Sequence, residues 1–500
     1  MKKILGIFFA SFFLQAAFAL EVDQAEIQEV SPDSIQFENY GGPHAVIETA
    51  AAITGIGVAL GEPILQDVQT PTVVFPEGKY TLIHSVDSEN PNGLDADILL
   101  LNDTAGVDHI RNLRRIISGF LQTAYAYDAN DAETLAIFVT VYNAVYRGNL
   151  DAFRAKYKTS VIENLNEESV GLSTFWQDWA GKTQIVIPLS DVQGGLSTVD
   201  TTEISDEKVI EALKQEGETG TSARENLADL KKRESEDASV RAQEAQKTAA
   251  QEKNAAAKTQ DPEEKAQAKE RAQEAQKNAA QEQQTADRKN LESQTEKQVL
   301  AREQSAANAN PVDTSNYVTG LFLVDEAKNL YSLITVDGAS GEIVKKSPAT
   351  QIRSANLYKV SNVSVEQDEG SSILFEELYV ALCGINDGKS AVKLCLIDSS
   401  KLEIQKESEE TLSENAHLEE INGNFYTVIQ NSGANYVAIY DKNLNLRTKS
   451  SIAVRGGTPL NQTEKGLLVT GTNGNPILLN LTTLDSVWQE NTASNAEAEK

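Results

Sequence analysis

The chain has 500 residues and a formal charge of −30, from 44 Lys and Arg against 74 Asp and Glu. That balance excludes a basic face for nucleic acid and a polybasic membrane patch, and two Cys with four His leave little for zinc sites or a disulfide framework. An apolar content of 40% with only 6% aromatics fits folded domains diluted by one polar segment, in a chain long enough for about two to four domains.

Met1-Lys2-Lys3, the apolar run from Ile4 and Ala17-Phe18-Ala19 read as an export signal over 1–19, so the mature chain is expected to begin at Leu20. No later run reaches about 18 apolar residues, and no transmembrane segment is expected in the mature chain. Residues 20–204 carry 27 acids against 9 bases and read as an N-terminal α/β (α+β) domain. Its expected elements are a strand at 35–40 and a helix from Gly41-Gly42-Pro43 to about Leu60. Strands follow at 79–84 and 98–101. Helices are expected at 107–126 and 131–147, the second apolar nearly all round and therefore central. Asn149 can cap a shorter helix to about Leu165, and Ile185 to Ile187 closes the domain. Gly55-Ile-Gly57 reads as helix packing, and Phe175, Trp176 and Trp179 as a core-closing cluster.

Residues 205–308 form a low-complexity spacer, opened by a linker helix over 205–216, with 22 acids against 18 bases, nearly neutral despite its charge density. Arg241-Ala-Gln-Glu-Ala-Gln-Lys247 recurs as residues 271–277, and Ala249-Ala-Gln-Glu252 as 279–282, a spacing of 30 residues. These are strong helix formers with charges at i, i+3. Ser222 to Glu225 reads as a capping box, and Asp261-Pro262 as a restart, so a break is expected near 260. If 224–305 were one helix it would span about 120 Å. Apolar anchors are sparse and 30 is no multiple of 7 or 11, which favours a single charged helix. The alternatives are an Ala-rich coiled coil, with weak self-association through residues 224–305, and partial disorder.

Residues 309–490 read as β-rich and propeller-like, with 491–500 a disordered tail. Four stretches share the pattern strand, Asp or Asn, short turn, strand: they turn at Asp337, Asp398, Asp441 and Asn480, in steps of 61, 43 and 39. The last two match a propeller blade and the first a blade with an insertion. A β-sandwich or irregular meander is the alternative. Cys383 and Cys395 fall on neighbouring strands; a two-residue turn at Asp387-Gly388 sets Cys383 opposite Val392, which favours free thiols over a disulfide.

Chemistry-bearing motifs are absent from the sequence: no H-E-x-x-H, nucleophile elbow, Walker loop or dinucleotide fingerprint. His44, His84, His109 and His417 lack ligand spacing. Asp87, Glu89, Asp95, Asp97 and Asp103 read as a solvated acidic loop. No catalytic, cofactor-binding or metal-ligating residue is assigned, and no cofactor is expected.

Phe37-Glu-Asn-Tyr-Gly-Gly-Pro43, Asp108 to Arg115, Phe138 to Arg147 and Trp179 to Pro188 resemble the spirochaete antigen family known from Borrelia as the 83/100-kDa antigen. The layout of all three regions follows it. The resemblance implies a spirochaete envelope protein without established catalysis, and transfers no catalytic residue. The expected role is thus an exported structural or interaction protein of the periplasm or envelope. Two acidic domains are held by the spacer, with a protein partner meeting the C-terminal β domain and no nucleic acid. The alternatives are a surface-exposed adhesin and an enzyme with a site around Asp95, Asp97, His84 and Arg111.

Overall fold

The computed structural model describes residues 35–44, 49–66, 72–74, 78–90, 92–190, 198–309, 314–353, 357–366, 372–387 and 390–489; the expected export signal and the tail 491–500 lie outside them. The N-terminal part runs α1 (Ala50–Gln66), β1 (Thr72–Val74), β2 (Tyr80–Ser85), β3 (Asp95–Leu101), α2 (Ile110–Tyr125), α3 (Ala129–Val145), α4 (Leu150–Arg154), α5 (Thr159–Ile162), β4 (Thr183–Leu189) and α6 (Glu207–Leu213). Its sheet has the order β1-β2-β3-β4 and every pair is antiparallel, so the domain is α+β. The apolar run of β3 lies between Leu82 and Ile185, both opposite Leu99.

α3 is central, as its all-round apolar surface requires: Phe138, Val139, Val141 and Tyr142 are buried. Asn143, in the last turn of α3, donates to the carbonyls of Val139 and Val186 and accepts from the Val186 amide, which stitches the helix to β4. α1 crosses α2 at Gly57, where a Cβ would stand 1.9 Å from the Ile116 carbonyl oxygen. Trp179 closes the core as expected, while Phe175 stays half exposed.

Four expectations need correcting. Residues 35–40 are extended but form no ladder; Glu38 alone bridges to Phe175, because the segment's polar groups go to separate loops. α1 begins at Ala50, not directly after Pro43. The helix capped by Asn149 breaks into α4 and α5, since Lys158 donates to the Leu94 carbonyl and Leu94 to that of Lys156. The presumed linker at 205–216 is part of the core, with Val209, Ala212 and Leu213 buried in it.

The spacer is not one extended helix. α7 (Glu218–Lys258) and α8 (Pro262–Ala309) pack antiparallel, about 62 and 72 Å long at 1.5 Å per residue. The break lies where the Asp-Pro pair predicts it, and the Asp261 carboxylate accepts from the Glu263 amide at 2.9 Å. Ser222 caps nothing: α7 starts earlier, after Gly217, whose φ of 61° suits a residue without Cβ. Small buried residues recur every seven positions on both helices: Ala228, Ser235, Ala242, Ala249 and Ala256 on α7, and Ala272, Ala279, Ala286 and Ser293 on α8, followed by Leu300. This is a coiled-coil seam made of alanine. The 30-residue spacing counts against a seam only if both copies share one helix. Here they face each other. Arg241 of the first copy pairs with Glu282 of the second at 2.9 Å, and Arg271 of the second with Glu252 of the first at 3.0 Å.

The C-terminal part is four small antiparallel sheets: β5 (Tyr317–Asp325), β6 (Leu330–Asp337) and β7 (Ile343–Lys346); β8 (Tyr358–Glu366), β9 (Ser372–Cys383), β10 (Lys393–Asp398) and β11 (Ile404–Glu407); β12 (Glu419–Ile421), β13 (Asn424–Asn431), β14 (Ala434–Tyr440) and β15 (Leu446–Val454); β16 (Asn461–Thr463), β17 (Gly466–Thr470), β18 (Pro476–Leu479) and β19 (Ser486–Gln489). They stack face to face in chain order. Alternate residues of β9 face the first sheet (Tyr379, Ala381, Cys383) and the third (Leu378, Val380, Leu382). β13 and β14 do the same, with Val428, Val437 and Ile439 turned toward the fourth sheet. Among the described residues the first and fourth sheets share no core cluster, so the structure gives stacked meanders and no closed ring.

The repeated Asp or Asn has one structural task. Asp337, Asp398, Asp441 and Asn480 each accept two backbone amides of the following turn through their side chains. Their carbonyls accept from Gly341, Leu402, Leu444 and Leu484, all at positive φ. Cys383 and Cys395 are free and buried; the loop between β9 and β10 is longer than two residues, which sets Cys383 opposite Lys393 rather than Val392.

Candidate functional site

Of the four residues named for a hypothetical enzyme, His84 and Asp97 meet, while Asp95 and Arg111 have separate partners. Asp97 lies in the core, bonded to His84 Nδ1 at 2.6 Å and to the Tyr125 hydroxyl. Asp95 forms a separate buried pair with Lys158 Nζ at 2.7 Å. Both carboxylates sit on β3 and tie it to β2, α2 and the loop before α5. Burial beside Asp97 pushes the Tyr125 hydroxyl well above its ordinary range. Arg111 is elsewhere and faces Glu403 at 3.4 Å. The acidic loop is structural too: the Asp87 carboxylate accepts from the amides of Glu89 and Asn90. Among the described residues no cluster of His, Cys, Asp and Glu could hold a metal ion.

The polar chemistry concentrates at two junctions. The first joins the N-terminal and β domains, and two family-like stretches build it. Tyr40 donates its amide to the Asp108 carbonyl, and the Ile110 amide at the start of α2 donates to Asn39 Oδ1 at 2.6 Å. A Cβ at Gly41 would stand 1.7 Å from the Pro348 carbonyl oxygen, so the chain passes close against the β domain here. His44 bridges the two: its Nε2 is 3.2 Å from Asp108 Oδ1, and its amide donates to Glu407 Oε2 at 3.3 Å. Hydrogen bonds to Asp108 and then Glu407 raise its pKa to about 9. Nearby His109 is lowered to about 4, by burial first and then by the Arg111 charge. A cleft of about 980 Å³ opens beside this junction, between Phe37, His109, Arg111, Arg115 and Glu403.

The second junction anchors the hairpin base. Arg224 is almost fully buried and pairs with Glu296 and Glu303. Burial alone would lower its pKa; the two glutamates outweigh that and hold it above the ordinary value. Lys231 meets Glu292 at 2.8 Å and Lys289 meets Glu234 at 3.1 Å, with Thr201 and Ser205 of the N-terminal domain completing the network. Arg233 reaches back to Asp131 at 2.7 Å. The sequence offered no direct signal for either junction. His44 lacks any spacing motif, and the partners of Arg224 lie more than seventy residues away.

A family model described as Borrelia P83/100 protein matches residues 24–304 and 292–460. No curated protein matches. Among solved structures, BamB from Moraxella catarrhalis is 10% identical, with a TM-score of 0.18; the match covers 34% of this chain and 63% of that one, too slight a likeness to argue from. Among the described residues no helix is long and apolar enough to cross a membrane.

Proposed function

The chain belongs to the Borrelia P83/100 protein family, and we propose that it serves as an exported envelope protein of structural and interaction type, without catalytic activity, that offers its β domain to a protein partner. The observation carrying this reading is that three buried sets of groups able to do acid–base chemistry are paired with one another in structural contacts. His84, Asp97 and Tyr125 hold the N-terminal core; Asp95 and Lys158 hold a loop; Arg224, Lys231 and Lys289 hold the hairpin base. Side chains engaged in this way fix a frame of three parts. The hairpin extends from that frame, and the sheet stack has an end face with exposed Val318, Phe322 and Ile343. A propeller-like arc of the four meanders fits the recurrent turns, with each middle sheet buried on both faces.

The test offers the full exported chain to envelope fractions, beside a chain lacking residues 314–489. Saturable retention of one envelope protein by the first chain and not the second is the expected result. Equal retention by both would move the contact away from the β domain. Failure of either chain to bind saturably would overturn the interaction role.

A further inference from the structure

α1 has an apolar surface that the described residues leave uncovered. Glu62 is its single charged residue, yet within the helix Gly57, Leu60, Gly61 and Ile64 alone are fully buried. A helix that is apolar on all sides is normally enclosed. Its outer residues Ala51, Gly55 and Val58 line the cleft of about 980 Å³ beside the domain junction. α2 contributes Arg111, Arg114 and Arg115 to the same lining, three of the nine bases in residues 20–204. Both helices begin at this cleft, with Ala50 and Ile110 in its wall, which adds two positive dipole ends.

Glu133, Glu216 and Glu403 also line the cleft, so its charges balance in a domain with 27 acids against 9 bases. Arg114 is held by Glu216 at 2.9 Å. Arg111 is half exposed, 3.4 Å from Glu403. The described chain also begins here: Ile35 is 3% exposed and lines the cleft with Gln36 and Phe37. Directly upstream stands Leu20-Glu-Val-Asp-Gln-Ala-Glu-Ile-Gln-Glu-Val-Ser-Pro-Asp-Ser34, with five acids and no base.

We infer that residues 27–34 strap into this cleft of their own chain. Glu29 and Asp33 supply the negative charge that Arg111 and Arg115 face, and Ile27 and Val30 supply the apolar cover that α1 lacks. The reach is sufficient. The stretch of α2 from His109 to Gln122 that lines the cleft is about 20 Å long, and eight extended residues cover about 26 Å. Tethering also decides between this segment and a free acidic molecule. A chain with a formal charge of −30 repels the latter, whereas a segment that starts at the cleft wall is present at high effective concentration. Glu403 belongs to the β domain, so the strap covers the edge of the domain junction. This goes beyond the proposed function, which concerns a separate partner protein.

The experiment is hydrogen exchange of the full exported chain, read by mass spectrometry. Amides of residues 27–34 are expected to exchange at least about tenfold more slowly than in the free peptide 20–34. Arg111→Glu combined with Arg115→Glu should return them to the free-peptide rate, with circular dichroism unchanged; Arg114, which carries the Glu216 pair, stays in place. Ile27→Asp combined with Val30→Asp alters the strap alone and should release it too. Free-peptide rates in the unmodified chain would overturn the inference, as would protection that survives either variant. Protection that grows with protein concentration would assign the cleft to the segment of a second copy and overturn it as well.

Discussion

The hairpin and the β domain are both built by repetition, but the symmetry differs. In the hairpin two copies of one segment meet across a local two-fold, so each contact occurs in both directions: Arg241 with Glu282, Arg271 with Glu252. Such an arrangement satisfies itself, and the alanine seam ends where the turn begins. In the β domain each sheet meets the next, and the middle ones are covered on both faces. A stack of that kind always leaves two ends. The exposed Val318, Phe322 and Ile343 belong to the first sheet. Reciprocal repetition closes a structure, whereas serial repetition leaves a surface for something else.

The difference can be broken most forcefully in the stack. Phe425 fills the space between the second and third sheets, and Phe425→Ala should cost about 4 kcal/mol. Chemical denaturation followed by tryptophan fluorescence and circular dichroism should show the loss in the β domain, with the helical transition unmoved. In the hairpin the vulnerable property is tightness. Ala249→Leu overpacks the seam and should remove about 2 kcal/mol from the helical transition alone. If the larger side chain left that transition unchanged, the helices could not be in contact there.

The recurrent turn predicts a smaller effect. Asp441→Ala should cost about 1 kcal/mol through two lost hydrogen bonds to one carboxylate oxygen. Asp441→Asn should stay within about 0.5 kcal/mol, because Asn480 already performs the same task. The smallest effect lies at the domain junction. His44 has a folded pKa of about 9 against 6.5 unfolded, so it favours the protonated, bridged form. Its contribution is complete below about pH 6.5 and is lost as pH rises through about 9. A third of the imidazole faces solvent, which leaves under about 1 kcal/mol after screening. Thermal unfolding across that window should flatten in His44→Ala.

Periodicity carried most of the fold. The strands β2 and β3, the helices α2 and α3, and all four turn-centred strand pairs followed from local pattern, because burial and turn chemistry act within a few residues there. The break before Pro262 was legible for the same reason. The pairing of α7 with α8 was not. Alanine is too small to advertise a seam by hydrophobicity, and the relevant repeat had to be read across the break rather than along one helix. A duplicated segment with a helix breaker between its copies was the available signal. The junction residues stayed hidden because His44, Asp108 and Glu407 are brought together only by the tertiary fold.

The most direct measurement is a distance between spin labels at Gln246 and Gln276, equivalent positions in the two copies, both exposed and in the helices. On a hairpin they stand at the same height on opposite helices, and a separation under about 25 Å is expected. On one continuous helix thirty residues would separate them by about 45 Å, and that result would contradict the hairpin.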